Sequence, residues 1–136
     1  MTYQPYFEYG TERASRWTVT SDHVANTVPP FVNNGDLGIA PSDMERHIAF
    51  DIGAAGVARA LGELLDGPTI CSNFSRLVID PNRGVNDPTL LMRLYDGTII
   101  PANRLADAAE REARLQACYH PYHAALGNLM RRREDP

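Results

Sequence analysis

The fold depends most on Ser75-Arg76-Leu77-Val78-Ile79-Asp80-Pro81-Asn82-Arg83, which joins a short apolar run to acid, amide and guanidinium groups. The apolar run, 77–79, is partly β-branched and is followed by a proline and a glycine, so it predicts a buried strand rather than a helix. Ligands bind just outside the carboxyl ends of the strands in an open α/β sheet. We therefore expect Asp80, Asn82 and Arg83 to lie at a ligand site.

Arg83 is the residue of this stretch best suited to binding an anion. Its guanidinium presents a planar fork of donors that matches a carboxylate bidentately. The alternative is that Asp80 and Arg83 simply pair with each other across a turn. A single short motif of this kind does not decide between the two interpretations.

The segments before this stretch predict an α/β order. Strands are expected at 16–22 and 69–72, after an irregular arm at 1–15. Ser42 begins a Ser-x-x-Glu capping box, which predicts a helix from about Asp43 that ends by Asp66-Gly67-Pro68. Apolar residues at mostly three- and four-residue intervals would give this helix one apolar face: Met44, Ile48, Ile52, Ala55, Leu61 and Leu64–Leu65. A strand, a long helix and a strand in this order predict a parallel crossover, and hence a mostly parallel sheet with flanking helices.

The segments after it predict a loop and then helices. Residues 83–101 are polar and loop-like, with one short helix expected near 90–95. A further helix is expected over about 104–118, capped by Asn103, and a final one from Pro121 toward Arg133. An edge hairpin formed by the second and third strands is the alternative arrangement of the sheet.

Composition limits the class of protein. The chain has 136 residues, 43% of them hydrophobic and 22% charged, which predicts one globular domain over 1–136. A net charge of −4 argues against a nucleic-acid surface, despite the basic run 131–133. No apolar run approaches the ~20 residues of a membrane span, and no signal peptide is evident, so a cytoplasmic protein is expected. Cys71 and Cys118 are expected to be buried thiols.

Metal binding is a second candidate chemistry. A zinc site needs three protein ligands of N, S or O type and an open position. His23 ends a predicted strand beside Asp22, at the sheet rim, although a strand-end histidine is often only hydrogen-bonded. His47 and Asp51 are four residues apart and would share one face of the predicted helix, although Asp51 could equally pair with a nearby arginine.

Four segments together resemble one known family. Residues 17–29, 46–53, 75–83 and 119–123 occur in the order and approximate spacing of the N-formylglutamate amidohydrolase family, a resemblance that extends over roughly residues 15–130. That family is similar to aspartoacylase and the zinc carboxypeptidases. The resemblance implies a zinc-exopeptidase (phosphorylase/hydrolase-like) fold, a zinc cofactor and hydrolysis of an N-acyl amino acid.

The resemblance also implies roles for particular residues. It makes His23 and Asp51 the metal ligands, with Asp22, Asn26 and His47 supporting them. It places the substrate against Arg76, Asp80, Asn82, Arg83 and His123. A third metal ligand and the general acid that protonates the leaving amine are not identified in this sequence.

Members of the family are about twice this length, and their second half supplies a strand ending in Asp-x-His-Ser and the general acid/base. The sequence therefore predicts an N-terminal half of such a domain or a short homologue. The function expected is metal-dependent cleavage of the amide bond of N-formylglutamate or a related N-acyl amino acid. The alternative is a catalytically incomplete fragment or homologue that binds a carboxylate ligand or a partner chain. Because the helix after Pro121 would lack a neighbour, a homo-oligomer is also expected.

Overall fold

A small mixed sheet lies at the centre of the protein, for which a computed structural model describes residues 2–134. The strands are β1 (Tyr6–Tyr9), β2 (Val19–Ser21) and β3 (Thr69–Ser72), in the spatial order β1-β3-β2. β2 runs parallel to β3, whereas β1 runs antiparallel to it. The α/β class is therefore confirmed, but the prediction of a mostly parallel sheet is wrong because one of the two strand pairs is antiparallel.

The N-terminal arm supplies β1 and is not irregular as predicted. Tyr6 pairs with Ser72 and Tyr9 pairs with Thr69, so the arm covers the outer edge of β3. The sequence gives little sign of this strand because its exposed side chains follow no clear apolar alternation. Pairing with the fully buried strand β3 fixes its conformation instead.

The parallel crossover between β2 and β3 contains helix α1 (Ala54–Leu64), which is shorter than predicted. Residues 43–45 form one 3₁₀ turn, and residues 46–53 are turns rather than helix. The Ser42 side chain makes no capping hydrogen bond, and Gly53 precedes α1 with φ of +85°, a backbone conformation that favours glycine. Ile48 is buried in the core while Ile52 is exposed, so these apolar residues do not share one helix face. The predicted stop holds, since α1 ends just before Asp66-Gly67-Pro68.

The apolar run 77–79 is fully buried but is not a strand, which corrects the prediction made from it. The Val78 amide bonds to the Ser75 carbonyl at 2.9 Å, which closes a turn. The carbonyls of Leu77 and Val78 accept from the side chains of Asn103 and Arg114 instead of from a neighbouring strand. Side chains therefore satisfy the backbone groups that a sheet ladder would otherwise satisfy.

The segment after this turn contains a hairpin where a loop with a short helix was expected. Strands β4 (Leu94–Tyr95) and β5 (Thr98–Ile99) pair antiparallel around Asp96 and Gly97. Both turn residues have positive φ, 46° and 81°, which is the requirement of a tight two-residue hairpin turn. The alternative hairpin between the second and third predicted strands, 69–72 and 77–80, is not formed, because residues 77–79 are not a strand.

The C-terminal region is helical, as predicted, with different boundaries. Helices α2 (Pro101–Arg104) and α3 (Ala108–Arg114) precede a π-helical segment, Leu115–Tyr119, and α4 (His120–Glu134). Asp107 caps α3 by accepting from the Glu110 amide, whereas Asn103, the predicted cap, is buried inside α2. Pro121 lacks an amide hydrogen and would clash with the carbonyl four residues earlier, so the wider π turn accommodates it.

One large apolar cluster joins the central turn, the β3 end and the C-terminal helices. It includes Ile70, Phe74, Leu77, Ile100 and Leu129, all fully buried. A small second cluster of Val19, Ala58 and Cys71 lies between the sheet and α1. Within residues 2–134 no helix is long and apolar enough to cross a membrane.

Candidate active site

His23 is the centre of the candidate site, because it meets two carboxylates that come from distant parts of the chain. It follows β2 directly, and its Nε2 lies 2.8 Å from Asp80 Oδ1. Its Nδ1 lies 3.5 Å from Asp51 Oδ2. The Asp51 amide bonds to the His23 carbonyl at 2.7 Å, so the backbone also holds these two residues together. The pair that sequence reasoning assigned to a metal therefore converges, although Asp51 lies before α1 and not on a helix.

Arg76 holds Asp51 from the other side. Its Nη2 donates to Asp51 Oδ1 in an ion pair, and its side chain is only 10% exposed. Its Nε is buried and has no partner among the described residues. The structure thus assigns Arg76 to the carboxylate of Asp51, which is the pairing considered as the alternative role of that aspartate.

Asp80 is held in its ionised form although it is almost fully buried. Burial alone would raise its pKa, but the hydrogen bond with His23, the Asn82 amide at 2.9 Å and the charges of His23 and Arg83 together lower it. Arg83 Nε lies 3.6 Å from Asp80 Oδ2, so these two residues do pair across a turn. The Arg83 side chain is still 42% exposed.

Two tyrosines that the sequence analysis did not assign to the site close its C-terminal side. Tyr119 donates to the Arg83 carbonyl at 2.7 Å, and Tyr122 donates to Asp22 Oδ1 at 2.5 Å. Burial and the nearby carboxylates raise the pKa of both phenols. His123 donates from Nε2 to the Pro81 carbonyl at 2.9 Å, and its ring lies 4.5 Å from that of Tyr119. The Tyr-x-x-Tyr-His spacing, which places these rings on neighbouring turns of one helix, was the available signal.

Two of the residues assigned to support the metal lie against other parts of the fold. His47 Nε2 is 3.1 Å from Asp96 Oδ2, and its ring packs edge-on against Tyr95 of β4. Asn26 donates to the Met44 carbonyl at 3.0 Å. The prediction that His47 and Asp51 share a helix face is wrong, because residues 46–53 form turns.

The donor set around His23 can be tested against what a zinc site needs. Tetrahedral zinc with bonds of ~2.0–2.2 Å places neighbouring donor atoms about 3.4 Å apart, close to the 3.5 Å between His23 Nδ1 and Asp51 Oδ2. The spacing of these two atoms therefore fits two donors of one metal ion. A carboxylate behind a metal-binding histidine is also a common arrangement. Two donors fit, but the described residues contain no group of three or more His, Cys, Asp or Glu that could hold a metal.

The sequence profile of the N-formylglutamate amidohydrolase family matches residues 15–136. Because this match covers most of the chain, the chain belongs to that family. Among curated proteins, none matches the sequence.

Solved structures similar to the chain include the following two. The crystal structure of the gene product Atu2144 from Agrobacterium tumefaciens is 30% identical in sequence, with a TM-score of 0.91, and the match covers 96% of this chain and 51% of that one. The N-formylglutamate amidohydrolase from Ralstonia eutropha is 22% identical, with a TM-score of 0.62, and the match covers 93% of this chain and 51% of that one. The second likeness shows the fold alone. The chain spans about half the length of each of these relatives.

Proposed function

We propose that this chain carries part of the active site of a metal-dependent hydrolase that cleaves the amide bond of N-formylglutamate or a related N-acyl amino acid. Membership of the family supports the reaction and the substrate class. The single observation that carries the proposal is the placement of His23 between Asp51 and Asp80. We further propose that the sheet is part of a larger zinc-exopeptidase-like sheet, since its β2-α1-β3 unit is a parallel crossover.

His23 and Asp51 are the residues that would hold the metal. Zinc bound there supplies Lewis-acid chemistry, since it polarises an acyl carbonyl and activates water. Asp80 keeps the His23 ring oriented by accepting from Nε2, and Arg76 keeps Asp51 oriented through Oδ1. The Asp51 side chain is 51% exposed and that of His23 is 14% exposed, so the pair opens on the Asp51 side.

Substrate carboxylates would bind on the Arg83 side of the same site. The ion pair with Asp80 engages Arg83 Nε, which leaves the terminal fork of the guanidinium for a ligand. Tyr119 fixes the Arg83 backbone, and His123 fixes the Pro81 carbonyl, so both ends of the Asp80–Arg83 turn are anchored to the C-terminal helical region. Asn82 lies within this turn, with its amide held by Asp80, and is proposed to assist Arg83.

A second candidate function is supported by the number of donors at the site. Only two metal donors converge among residues 2–134, one fewer than a catalytic zinc site has. A homologue that binds a carboxylate ligand or a partner chain through Arg83 without turnover would need no third donor.

The test combines zinc binding with turnover. We expect calorimetry to show zinc binding to the wild-type chain, its loss in His23→Ala, and its retention in the matched control His47→Ala, whose imidazole bonds to Asp96 instead. Release of glutamate from N-formyl-L-glutamate by the zinc-loaded protein would support the hydrolase. Ligand binding without release of glutamate would favour the second candidate, and zinc binding that survives in His23→Ala would remove the proposed metal site.

A further inference from the structure

The corner of the chain that carries His23 lies just beyond the end of the sheet ladder. β2 pairs with β3 as far as Ser21, which lies opposite Cys71. The next two residues, Asp22 and His23, form a bend. Backbone pairing therefore does not fix the direction in which His23 projects, and contacts with other segments fix it instead.

Three segments of the chain hold this corner. The Ser72 hydroxyl donates to the Asp22 carbonyl, and the Asp51 amide donates to the His23 carbonyl at 2.7 Å. Tyr122 donates from its hydroxyl to Asp22 Oδ1 at 2.5 Å, although the two residues are 100 positions apart. Within residues 2–134, no other side chain donates to the Asp22 carboxylate. Tyr122 is thus the contact that links the corner to α4.

Tyr122 is a rigid anchor. Its side chain is fully buried, and its ring packs edge-on against the fully buried Phe74, with the ring centroids 6.3 Å apart. Close packing of this kind leaves a side chain little freedom to move. Burial and the bond to Asp22 raise the pKa of the phenol, so its hydroxyl stays a donor. The core of the protein therefore sets the position of this hydroxyl.

The bond from Tyr122 to Asp22 is strong enough to constrain the corner. A hydroxyl that donates to a carboxylate makes a charge-assisted bond, roughly twice as strong as a neutral one. The peptide unit between Asp22 and His23 is planar and stiff, so a constraint on Asp22 also limits the rotation of His23. In this position the His23 ring meets Asp80 at 2.8 Å and Asp51 at 3.5 Å.

We infer that Tyr122 is a positioning residue of the candidate site, because its bond to Asp22 keeps the His23 ring directed at Asp51 and Asp80. A fully buried phenol does not touch a substrate, so Tyr122 acts only through Asp22. Its effect on metal affinity rests on the proposed function, whereas its effect on the orientation of the His23 ring does not.

The same short segment of chain holds both ends of the site. Tyr119 and His123 donate to carbonyls of the turn 80–83, which carries the proposed carboxylate-binding arginine. Tyr122, between them in the sequence, holds the corner of His23. The start of α4 and the π-helical residue before it therefore set the spacing between the proposed metal end and the proposed carboxylate end.

Magnetic resonance of the His23 ring tests the positioning at one fixed pH and without metal. We expect the wild-type chain to show one Nε2 proton signal, protected from exchange with water by the bond to Asp80. Tyr122→Phe keeps the buried ring and removes only the hydroxyl, so this signal should broaden or disappear. The matched control Tyr3→Phe removes a hydroxyl that donates to the Asn73 carbonyl, and it should leave the signal unchanged. A loss of stability alone would not move the signal.

Calorimetry with zinc tests whether the positioning acts through Asp22. Tyr122→Phe and Asp22→Ala should each raise the zinc dissociation constant about tenfold. The double variant should bind zinc within about twofold of either single variant, because both substitutions remove the same bond. Asp22→Asn keeps an oxygen that accepts from Tyr122, so its zinc affinity should stay within about twofold of the wild type.

Circular dichroism confirms that each variant is folded, and Asp22→Ala takes the place of Tyr122→Phe if the latter does not fold. The inference would be overturned by a wild-type His23 without a protected proton, or by a signal or zinc affinity that Tyr122→Phe and Asp22→Ala leave intact. Zinc effects that add in the double variant, or a loss of zinc in Asp22→Asn, would overturn it as well. If the wild-type chain binds no zinc, the proposed metal site is wrong, and the His23 signal alone decides the role of Tyr122.

Discussion

His23, Asp51 and Asp80 show how single residues shape the candidate site. Asp80 is buried and yet ionised, because His23 and the Asn82 amide both donate to its Oδ1. Asp51 is half exposed and relies on Arg76 for its orientation. The two carboxylates on either side of one imidazole thus have different environments: the inner one positions the ring, and the outer one faces the open side.

Replacing Asp80 should make stability depend less on pH. The pKa of Asp80 in the folded state lies below its ordinary value, so ionisation of Asp80 stabilises the folded state. This stabilisation is fully present above about pH 4 and is lost as the pH falls through the folded-state pKa. We expect Asp80→Asn to lower the free energy of unfolding by about 2 kcal/mol near neutrality. Urea titrations from about pH 7 down to about pH 2 should show this difference shrinking. Glu12→Gln, at an exposed position, serves as the control, and a pH-independent difference would contradict the assignment.

Arg83→Lys tests whether the guanidinium fork binds carboxylates. Lysine keeps the charge but loses the bidentate geometry, so the affinity for N-formyl-L-glutamate, measured by calorimetry, should fall about tenfold. Arg93→Lys, an exposed arginine on the neighbouring loop, should leave the affinity unchanged. Equal affinity for the wild type and Arg83→Lys would assign Arg83 to its pair with Asp80 and not to a ligand.

At the scale of elements, buried side chains take the place of a strand ladder behind the site. Asn103 donates to the carbonyls of Leu77 and Met92 at 2.6 and 2.7 Å and accepts from Arg114 at 2.5 Å. Arg114, 1% exposed, also donates to the Val78 carbonyl, and burial lowers its pKa. This network fixes the turn that carries Arg76 and Asp80 into the site.

Asn103→Ala should therefore cost far more stability than a surface substitution. It removes the donor to the carbonyls of Leu77 and Met92 and one acceptor of the buried Arg114 guanidinium, at a cost of about 3 kcal/mol. Chemical denaturation should show this loss, whereas Asn128→Ala, at an exposed position of α4, should change stability by less than about 0.5 kcal/mol. A loss below about 1 kcal/mol for Asn103→Ala would show that water replaces the amide.

The packing of α1 on β3 predicts opposite effects for two glycines of one helix. A Cβ at Gly62 would collide with Thr69 Oγ1 in the buried strand, so Gly62→Ala should lower the thermal midpoint despite the better helix propensity of alanine. A Cβ at Gly56 meets nothing within 4 Å, so Gly56→Ala should stabilise by up to about 1 kcal/mol. If both variants gained stability, α1 would lie farther from β3 than described.

At the scale of the whole molecule, two apolar clusters meet at the sheet. Ile70 of β3 belongs to the large cluster and Cys71 to the small one, so adjacent residues of one strand face the two sides. The expectation that the helix after Pro121 lacks a neighbour holds only in part, because Leu129 of α4 is fully buried whereas Met130 is 52% exposed. Exposed apolar side chains also lie on α1. Unfolding should therefore be cooperative, with both clusters lost together.

The two cysteines report on this cooperativity. Burial raises the pKa of the Cys118 thiol to about 12 and also raises that of Cys71, so neither thiol should react with a disulfide reagent in the native state. Both should become reactive in urea at the midpoint seen by circular dichroism. Labelling of Cys71 at a clearly lower urea concentration would show that the sheet and α1 unfold before the rest of the chain.

The sequence alone determined those features that depend on residues close together in the chain. Thr69–Ser72 is a buried run bounded by turn residues, and it forms β3; Asp66-Gly67-Pro68 ends α1; and both cysteines are buried. The sequence also predicted that His23 and Asp51 converge, through the family resemblance and not through periodicity. These predictions needed only turn chemistry, burial and the order of motifs.

Only the tertiary structure decided the state of residues 77–79 and the composition of the site. Complete burial of an apolar run is compatible with a strand or with a turn. Here the run forms a turn because Asn103 and Arg114, which are distant in sequence, donate hydrogen bonds to its carbonyls. In the same way, Tyr119 and Tyr122 belong to the site through hydrogen bonds to the Arg83 carbonyl and to Asp22, which lie far away in the sequence. Long-range side-chain bonds leave no periodic trace in a sequence, so they become visible only once the chain is folded.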